Sequence, residues 1–221
     1  ASGFAFHGRD RSGTLGERMR GPHDNPVATS LAHHLLCAVP QLVDPNFVRS
    51  VILMIEHGDD GAFGLVVNNP LPTLIAEVTD SLGLHWRGPG DQHVLLGGPV
   101  ETVRGFVLHD QPAWDPLADE VVDGIHLTAT LDGIDRDAAF GGEGRFLFTL
   151  GYAGWGAGQL EREMVSGSWV AVPVGREPGV SGEWLLRVDP EVMWQEALAA
   201  FGIDPARLVG HRGIGVPVAK A

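Results

Sequence analysis

Arg145-Phe-Leu-Phe-Thr-Leu150, Gly151-Tyr-Ala-Gly-Trp-Gly-Ala-Gly158 and Gln159-Leu-Glu-Arg-Glu-Met-Val165 form the continuous stretch around which the chain is organised. The first part is short, apolar and aromatic-rich, and reads as a buried strand. Four glycines follow within eight residues: Gly151, Gly154, Gly156 and Gly158. In the last part Leu160 and Met164 stand four apart, on one helix face. The pattern predicts a strand, a glycine-rich loop over residues 151–158 and a helix from Gln159. Free N–H groups and the helix dipole converge where such a loop meets a helix, so the junction suits an anion. Tyr152 and Trp155 add large apolar bodies with a polar handle. The competing reading is a tight strand-to-helix connection whose aromatics fill the core.

Upstream, Leu35–Val39 and Val51–Ile55 read as strands, and Asp59-Asp-Gly61 turns the second into a third at Phe63–Val67, a hairpin. Asp44-Pro45 looks like an N-cap with proline at the first helical position, opening a short helix through Phe47 and Ser50. Thr73 is the expected cap of a helix from about Leu74 to Leu82, with Glu77 near the capping-box position. Val94–Leu96 and Arg104–His109 are strands. Residues 121–131 alternate, with Ile125, Leu127 and Ala129 on one face. Asp135–Phe140 suggests a short helix. Downstream, Trp169–Pro173 and Trp184–Val188 read as strands, and Asp189-Pro190 opens a helix to about Phe201. A short turn is expected over Asp204–Leu208. Many strands with a few interspersed helices predict a mixed sheet in one domain over residues 31–209. Residues 1–30 read as a flexible tail and residues 210–221 as a loose one.

The chain has 221 residues, 44% of them hydrophobic and 19% charged, enough for a sizeable core. No apolar run approaches the length of a membrane-spanning helix. Cys37 is the only cysteine. With no internal disulfide to form and no signal pattern at the start, the expected compartment is the cytoplasm. The net charge is -13, from 15 basic and 28 acidic residues, and Lys220 is the only lysine. That balance argues against direct nucleic-acid binding, which needs clustered Lys and Arg. It suits small-molecule or protein partners.

Three blocks resemble the YqgE/AlgH family of bacterial proteins. The first is Asp44-Pro-Asn-Phe47 with Ser50-Val51, Glu56-His57, Gly61-Ala-Phe-Gly-Leu-Val-Val-Asn68 and Pro70. The second is Leu96-Gly-Gly-Pro-Val100 with Arg104-Gly-Phe-Val-Leu-His109. The third is Gly151-Tyr-Ala-Gly-Trp155 with Gly158-Gln-Leu-Glu161 and Trp169. The resemblance covers about residues 31–209. It implies an α+β fold, a single domain whose bent mixed β-sheet forms a pseudo-barrel with helices packed outside. It implies no established reaction, ligand or cofactor. The family is sometimes labelled a transcriptional regulator, an association rather than a mechanism. One position departs from the family pattern: Asn69 stands where Arg or Lys is usual, between Asn68 and Pro70.

Candidate chemistry gathers at strand ends. Glu56, His57 and His109 are the candidates for acid–base catalysis in a hydrolase, against a role in holding loops by hydrogen bonds. Ser50 lacks the Gly-x-Ser-x-Gly context of a nucleophile elbow. His33-His34 is adjacent rather than helically spaced, and no metal site is expected. No Walker lysine follows the glycines, which disfavours a nucleotide-binding loop. The leading expectation is a non-catalytic binding or regulatory protein. Its cleft would gather Asn68, Gly97, Gly98, Arg104, Gly151, Tyr152, Gly154, Trp155 and Gln159 around a small anionic ligand or a protein partner. Arg104 would be the anion's fork. The alternatives are the hydrolase and, third, a regulator acting indirectly or on DNA.

Overall fold

The structure is a computed structural model that describes residues 30–83, 86–129 and 144–208. The expected helix over Asp135–Phe140 lies outside these residues, as do the C-terminal tail and all but the last residue of the N-terminal one. Ten strands are described: β1 (His34–Ala38), β2 (Val51–Gly58), β3 (Gly61–Val66), β4 (Pro70–Leu74), β5 (His93–Leu96), β6 (Val100–His109), β7 (Asp119–Val122), β8 (Ile125–Thr128), β9 (Phe146–Gly156) and β10 (Trp169–Pro173). The described helices are α1 (Ile75–Ser81), α2 (Gln159–Val165), α3 (Gly182–Leu185), α4 (Pro190–Ala200) and α5 (Pro205–Leu208). The strands form one ten-stranded sheet in the order β10-β1-β2-β3-β9-β6-β8-β7. β4 joins it through β5, which runs parallel to β9 while every other pairing is antiparallel. The sheet curls into a half-barrel.

Both faces of the sheet are buried, which is why β1 and β2 read as unbroken apolar runs rather than alternating ones. Leu35, Cys37, Val51, Leu53, Leu65, Phe106 and Leu108 point into the concave core, together with Val121, Val122, Ile125, Leu127, Val170 and Val172. Leu185 near the end of α3 and Met193, Trp194, Ala197 and Leu198 of α4 share that core. Trp194 Nε1 donates to the Ala38 carbonyl at 2.8 Å and locks α4 to β1. The convex face carries two smaller clusters. Leu36, Ala38, Ile52, Met54, Ala153, Trp155 and Trp169 lie under Leu160 of α2. Val94, Val107, Trp114, Phe146 and Phe148 lie under Ile75 of α1.

β9 is the axis. Its first half pairs with β6 and β5, its second with β3. Phe146 and Phe148 face the convex side, as do Ala153 and Trp155, while Tyr152 faces the concave core. Odd-numbered residues thus replace even-numbered ones on the convex face beyond residue 150. A regular strand keeps one parity. The break falls at Gly151, which takes φ 73°. A Cβ there would sit closer than 3.0 Å to the carbonyl oxygens of both Gly98 and Val100. Gly97 N–H donates to Leu150 O at 2.7 Å, and Gly97 O accepts from Val66 N–H at 2.8 Å. The Gly97-Gly98 segment is therefore wedged between β3 and β9.

Residues 151–158 do not form the expected loop. β9 runs on to Gly156, and only Ala157 and Gly158 make the turn into α2. The glycines serve a kinked strand with close backbone neighbours. Other local differences have equally local causes. Residues 45–49 form turns rather than a helix. Asp44 Oδ1 accepts from Asn46 N–H, and Arg49 takes φ 52°, which ends the α-turn geometry. Leu74, not Thr73, is the N-cap of α1, and Glu77 Oε2 accepts from Leu74 N–H at 2.9 Å. Pro70–Leu74 is strand β4. Asp123-Gly124 splits residues 119–128 into the β7–β8 hairpin. Trp184 lies in the turn of helix α3, capped by Ser181 Oγ, and is not in a strand. No described helix is long and apolar enough to cross a membrane.

Gly151→Ala is expected to destabilise the protein by about 3 kcal/mol or more, since strain at positive φ adds to backbone collision. Gly156→Ala meets only Gln159 Oε1, at 4.0 Å, and should change stability by less than about 1 kcal/mol. Urea denaturation of the two variants checks the contrast.

Candidate functional site

Of the residues nominated from sequence, Arg104 and Tyr152 both pack against Phe106. In the β6–β9 register Val100 pairs with Tyr152 and Gly105 with Leu150. Residues 101–104 therefore stand opposite Gly151 alone and bulge outward. Glu101 takes φ 47° within the bulge, and Val103 is almost fully exposed. Bulges re-aim side chains. This one places the Arg104 guanidinium over the Phe106 ring, Cζ at 5.1 Å from the centroid. Phe106 meets Tyr152 edge-on at 6.3 Å, and Phe63 packs on both, at 5.7 and 5.0 Å.

Arg104 keeps 34% of its side chain exposed, and its ion-pair partner among the described residues is Glu101, at 3.3 Å and 47% exposed. So open a pair is worth about 1 kcal/mol at most, because solvent screens it. The guanidinium is thus oriented by an apolar ring and only weakly neutralised. That is a group able to take a carboxylate or phosphate in bidentate fashion.

The other nominated residues are spread wider. Gly97, Gly98 and Gly151 pack backbone to backbone, as described. Gly154 is exposed opposite Phe63. Asn68 is spent on structure: Oδ1 accepts from Val51 N–H at 2.7 Å and Nδ2 donates to Arg49 O at 3.0 Å. Asn69 sits beside it, and its carbonyl accepts from Leu96 N–H. Trp155 and Gln159 lie on the convex face, around Glu163. Trp155 Nε1 and Trp169 Nε1 both donate to Glu163 Oε2, and Gln159 Nε2 donates to Oε1, all at 2.9 Å. Phe47 stacks on Trp155 and meets Trp169 edge-on. Sequence reasoning missed Phe63, Phe106 and Glu163. Phe106 was detectable two residues from Arg104 on the same strand, and Glu163 at helical spacing from Gln159.

The acid–base candidates do not converge. Glu56 is exposed on β2. His57 has both ring nitrogens engaged. Leu31 N–H donates to Nδ1 at 2.9 Å, so the ring carries its proton on Nε2 and donates to Glu161 Oε1 at 3.1 Å. His109 is fully buried under the 110–118 segment. The Thr128 hydroxyl donates to Asp115 Oδ2 at 2.8 Å, so its oxygen accepts from His109 Nε2–H at 3.1 Å. Among the described residues His109 Nδ1 has no hydrogen-bond partner. Burial pushes the His109 pKa below its ordinary 6.5, and His126, stacked at 5.7 Å, pushes the same way. The Gln111 backbone and the carboxylates of Asp115 and Asp110 oppose that shift. The Ser50 hydroxyl is buried with no hydrogen-bond partner among the described residues. Burial raises the Cys37 thiol to about 12, so it is a core residue rather than a nucleophile. Among the described residues no cluster of three or more His, Cys, Asp or Glu is placed to hold a metal ion.

The family model described as "DUF179: AlgH-like" matches residues 35–206. A UPF0301 protein of Myxococcus xanthus is 42% identical over 187 residues, 84% of this chain and 98% of that protein. A UPF0301 protein of Stenotrophomonas maltophilia is 41% identical over 189 residues, 84% of this chain and 96% of the other. Among solved structures, the AlgH protein from Pseudomonas aeruginosa superposes with a TM-score of 0.62 at 33% identity, covering 90% of this chain and all of that one.

The neutral, buried His109 has a consequence for acid stability. A histidine whose folded pKa is depressed binds its proton more readily once unfolded. Its contribution is complete above the unfolded pKa near 6.5 and is lost as pH falls. Stability should fall by up to about 1.4 kcal/mol per pH unit from this group below that point. In His109→Leu the slope between about pH 5 and 6.5 should flatten by up to one proton. Urea midpoints measured across that range test it.

Proposed function

Since the chain belongs to the AlgH-like family, whose function is not established, we propose that it is a non-catalytic binding protein. It recognises a small anionic ligand, or the acidic group of a protein partner, through Arg104 at the rim of the half-barrel. The observation that carries this reading is the Arg104 geometry itself. A bulge with strained backbone aims a part-exposed cation over Phe106, beside Tyr152 and Phe63, with one weak counter-charge in Glu101. The aromatic bed holds the fork in place and lowers the entropy lost on binding. Backbone strain in a single non-glycine residue is of the kind that gathers at ligand clamps.

Binding is favoured over hydrolysis because the candidate histidines are committed elsewhere. His57 ties the incoming chain at Leu31 to α2, and His109 is closed off from solvent. Neither ring offers a free nitrogen to a substrate at the surface. Asn69, at the joint between β3 and β4, carries no charge to add to Arg104. The anion contact is assigned to Arg104 alone.

A thermal-shift screen with phosphorylated metabolites and organic acids tests the reading. A ligand present at about 100 times its dissociation constant should add about 2.7 kcal/mol and raise the midpoint by roughly 5–10 °C. Arg104→Ala should abolish the shift, and Arg104→Lys should keep only part of it, because a point charge replaces a planar fork. A shift of equal size in Arg104→Ala would remove this residue from the site.

A further inference from the structure

The open edges of the curled sheet, β10 and β7, face each other across a seam that holds a cleft of about 230 Å³. The cleft shares no lining residue with the Arg104 site, and nothing in the binding reading above depends on it. One wall is the start of β1 and the end of β10, with His33, His34 and Arg176. The other is the β7–β8 turn, with Val122 and Asp123.

The cleft exists because the pairing of β1 with β10 stops at His34–Pro173. Val174 N–H then bonds to His33 O, and the chain leaves the sheet through Gly175 and Arg176. His33 takes φ 64°, a left-handed conformation that a non-glycine residue rarely adopts. A hydrogen bond across the seam accompanies it, from His33 Nδ1 to the Val121 carbonyl. His34 Nδ1 bonds to Ala32 O at 3.0 Å. A carbonyl only accepts, so both rings carry a proton on Nδ1. In its neutral form each then leaves Nε2 as an acceptor. Asp123 and Arg176 are exposed, and neither has an ion-pair partner among the described residues. The residues lining the seam therefore include three acceptor groups, the Asp123 carboxylate and two imidazole rings, together with one cationic fork.

We propose that the seam cleft binds a small free amino acid. Its ammonium group has three N–H donors, matched by Asp123 and the Nε2 atoms of His33 and His34. Its carboxylate is matched by the planar fork of Arg176. The volume suits a small side chain. A lone anion would leave Asp123 facing it unfavourably, and a lone amine would leave Arg176 unused. The two charges on opposite walls select a molecule that carries both.

Titration of the full chain with glycine, alanine and serine, followed by calorimetry or amide chemical shifts, tests this. Acetate and ethylamine serve as single-charge controls. Saturable binding of an amino acid in the millimolar range or tighter is expected, with both controls weaker. Arg176→Ala and Asp123→Asn should each weaken it about tenfold or more, as loss of a charge-assisted hydrogen bond predicts. Arg104→Ala should leave it unchanged, which separates this cleft from the rim site. Both seam side chains are exposed, so unchanged thermal midpoints should accompany the loss of binding. No saturable response to any of the three amino acids would overturn the proposal. So would acetate or ethylamine binding as tightly as the amino acids, or binding that survives both seam substitutions.

Discussion

The close approach of two backbones, Gly97-Gly98 against Gly151, is the constraint from which the architecture follows. No side chain fits between them. Their contact lets the segment after β5 wedge between β3 and β9, with hydrogen bonds to each. The positive φ at Gly151 changes which residues of β9 face inward, and so puts Tyr152 in the concave core and Trp155 on the convex one. A strand that kept one parity would send both aromatics to other faces. The half-barrel, with separate cores on its two sides, rests on that single phase change.

The same constraint shapes the rim. Because Gly151 stands opposite four residues of β6, residues 101–104 must bulge. The bulge raises Arg104 out of the ladder and sets it on Phe106. A structural necessity in β9 thus produces an oriented, part-exposed cation in β6. On the convex side the matching device is a carboxylate. Glu163 accepts from two indoles and one amide, fastening α2 to β9 and β10 at once. These polar groups lie half-buried and satisfied, which is the condition under which they hold elements in place without a desolvation penalty.

Several local sequence signals have consequences that only tertiary contacts set. Of the glycines in residues 151–158, Gly151 takes a positive φ and lies close against another backbone, that of Gly98 and Val100. Asp44-Pro45 carries a cap signature, but Arg49 in the left-handed region closes the turn before a helix can propagate. Asp123-Gly124 is a hairpin signal that the alternation of residues 121–131 concealed. The nine residues nominated for one cleft divide between two faces, since strand parity across Gly151 is not visible without the register.

The sequence by itself determined a mixed sheet in one domain, the β2–β3 hairpin and α4 with its Asp189 cap, and its three spaced blocks pointed to the family. These follow from local periodicity, capping chemistry and a set of spaced blocks. Only the tertiary structure decided which polar groups meet. That Arg104 lies on Phe106, that His57 is tied to Leu31 and Glu161, and that His33 reaches Val121 across the seam depend on strand register and sheet curl. Those are set by contacts between residues far apart in the chain, which no local pattern encodes.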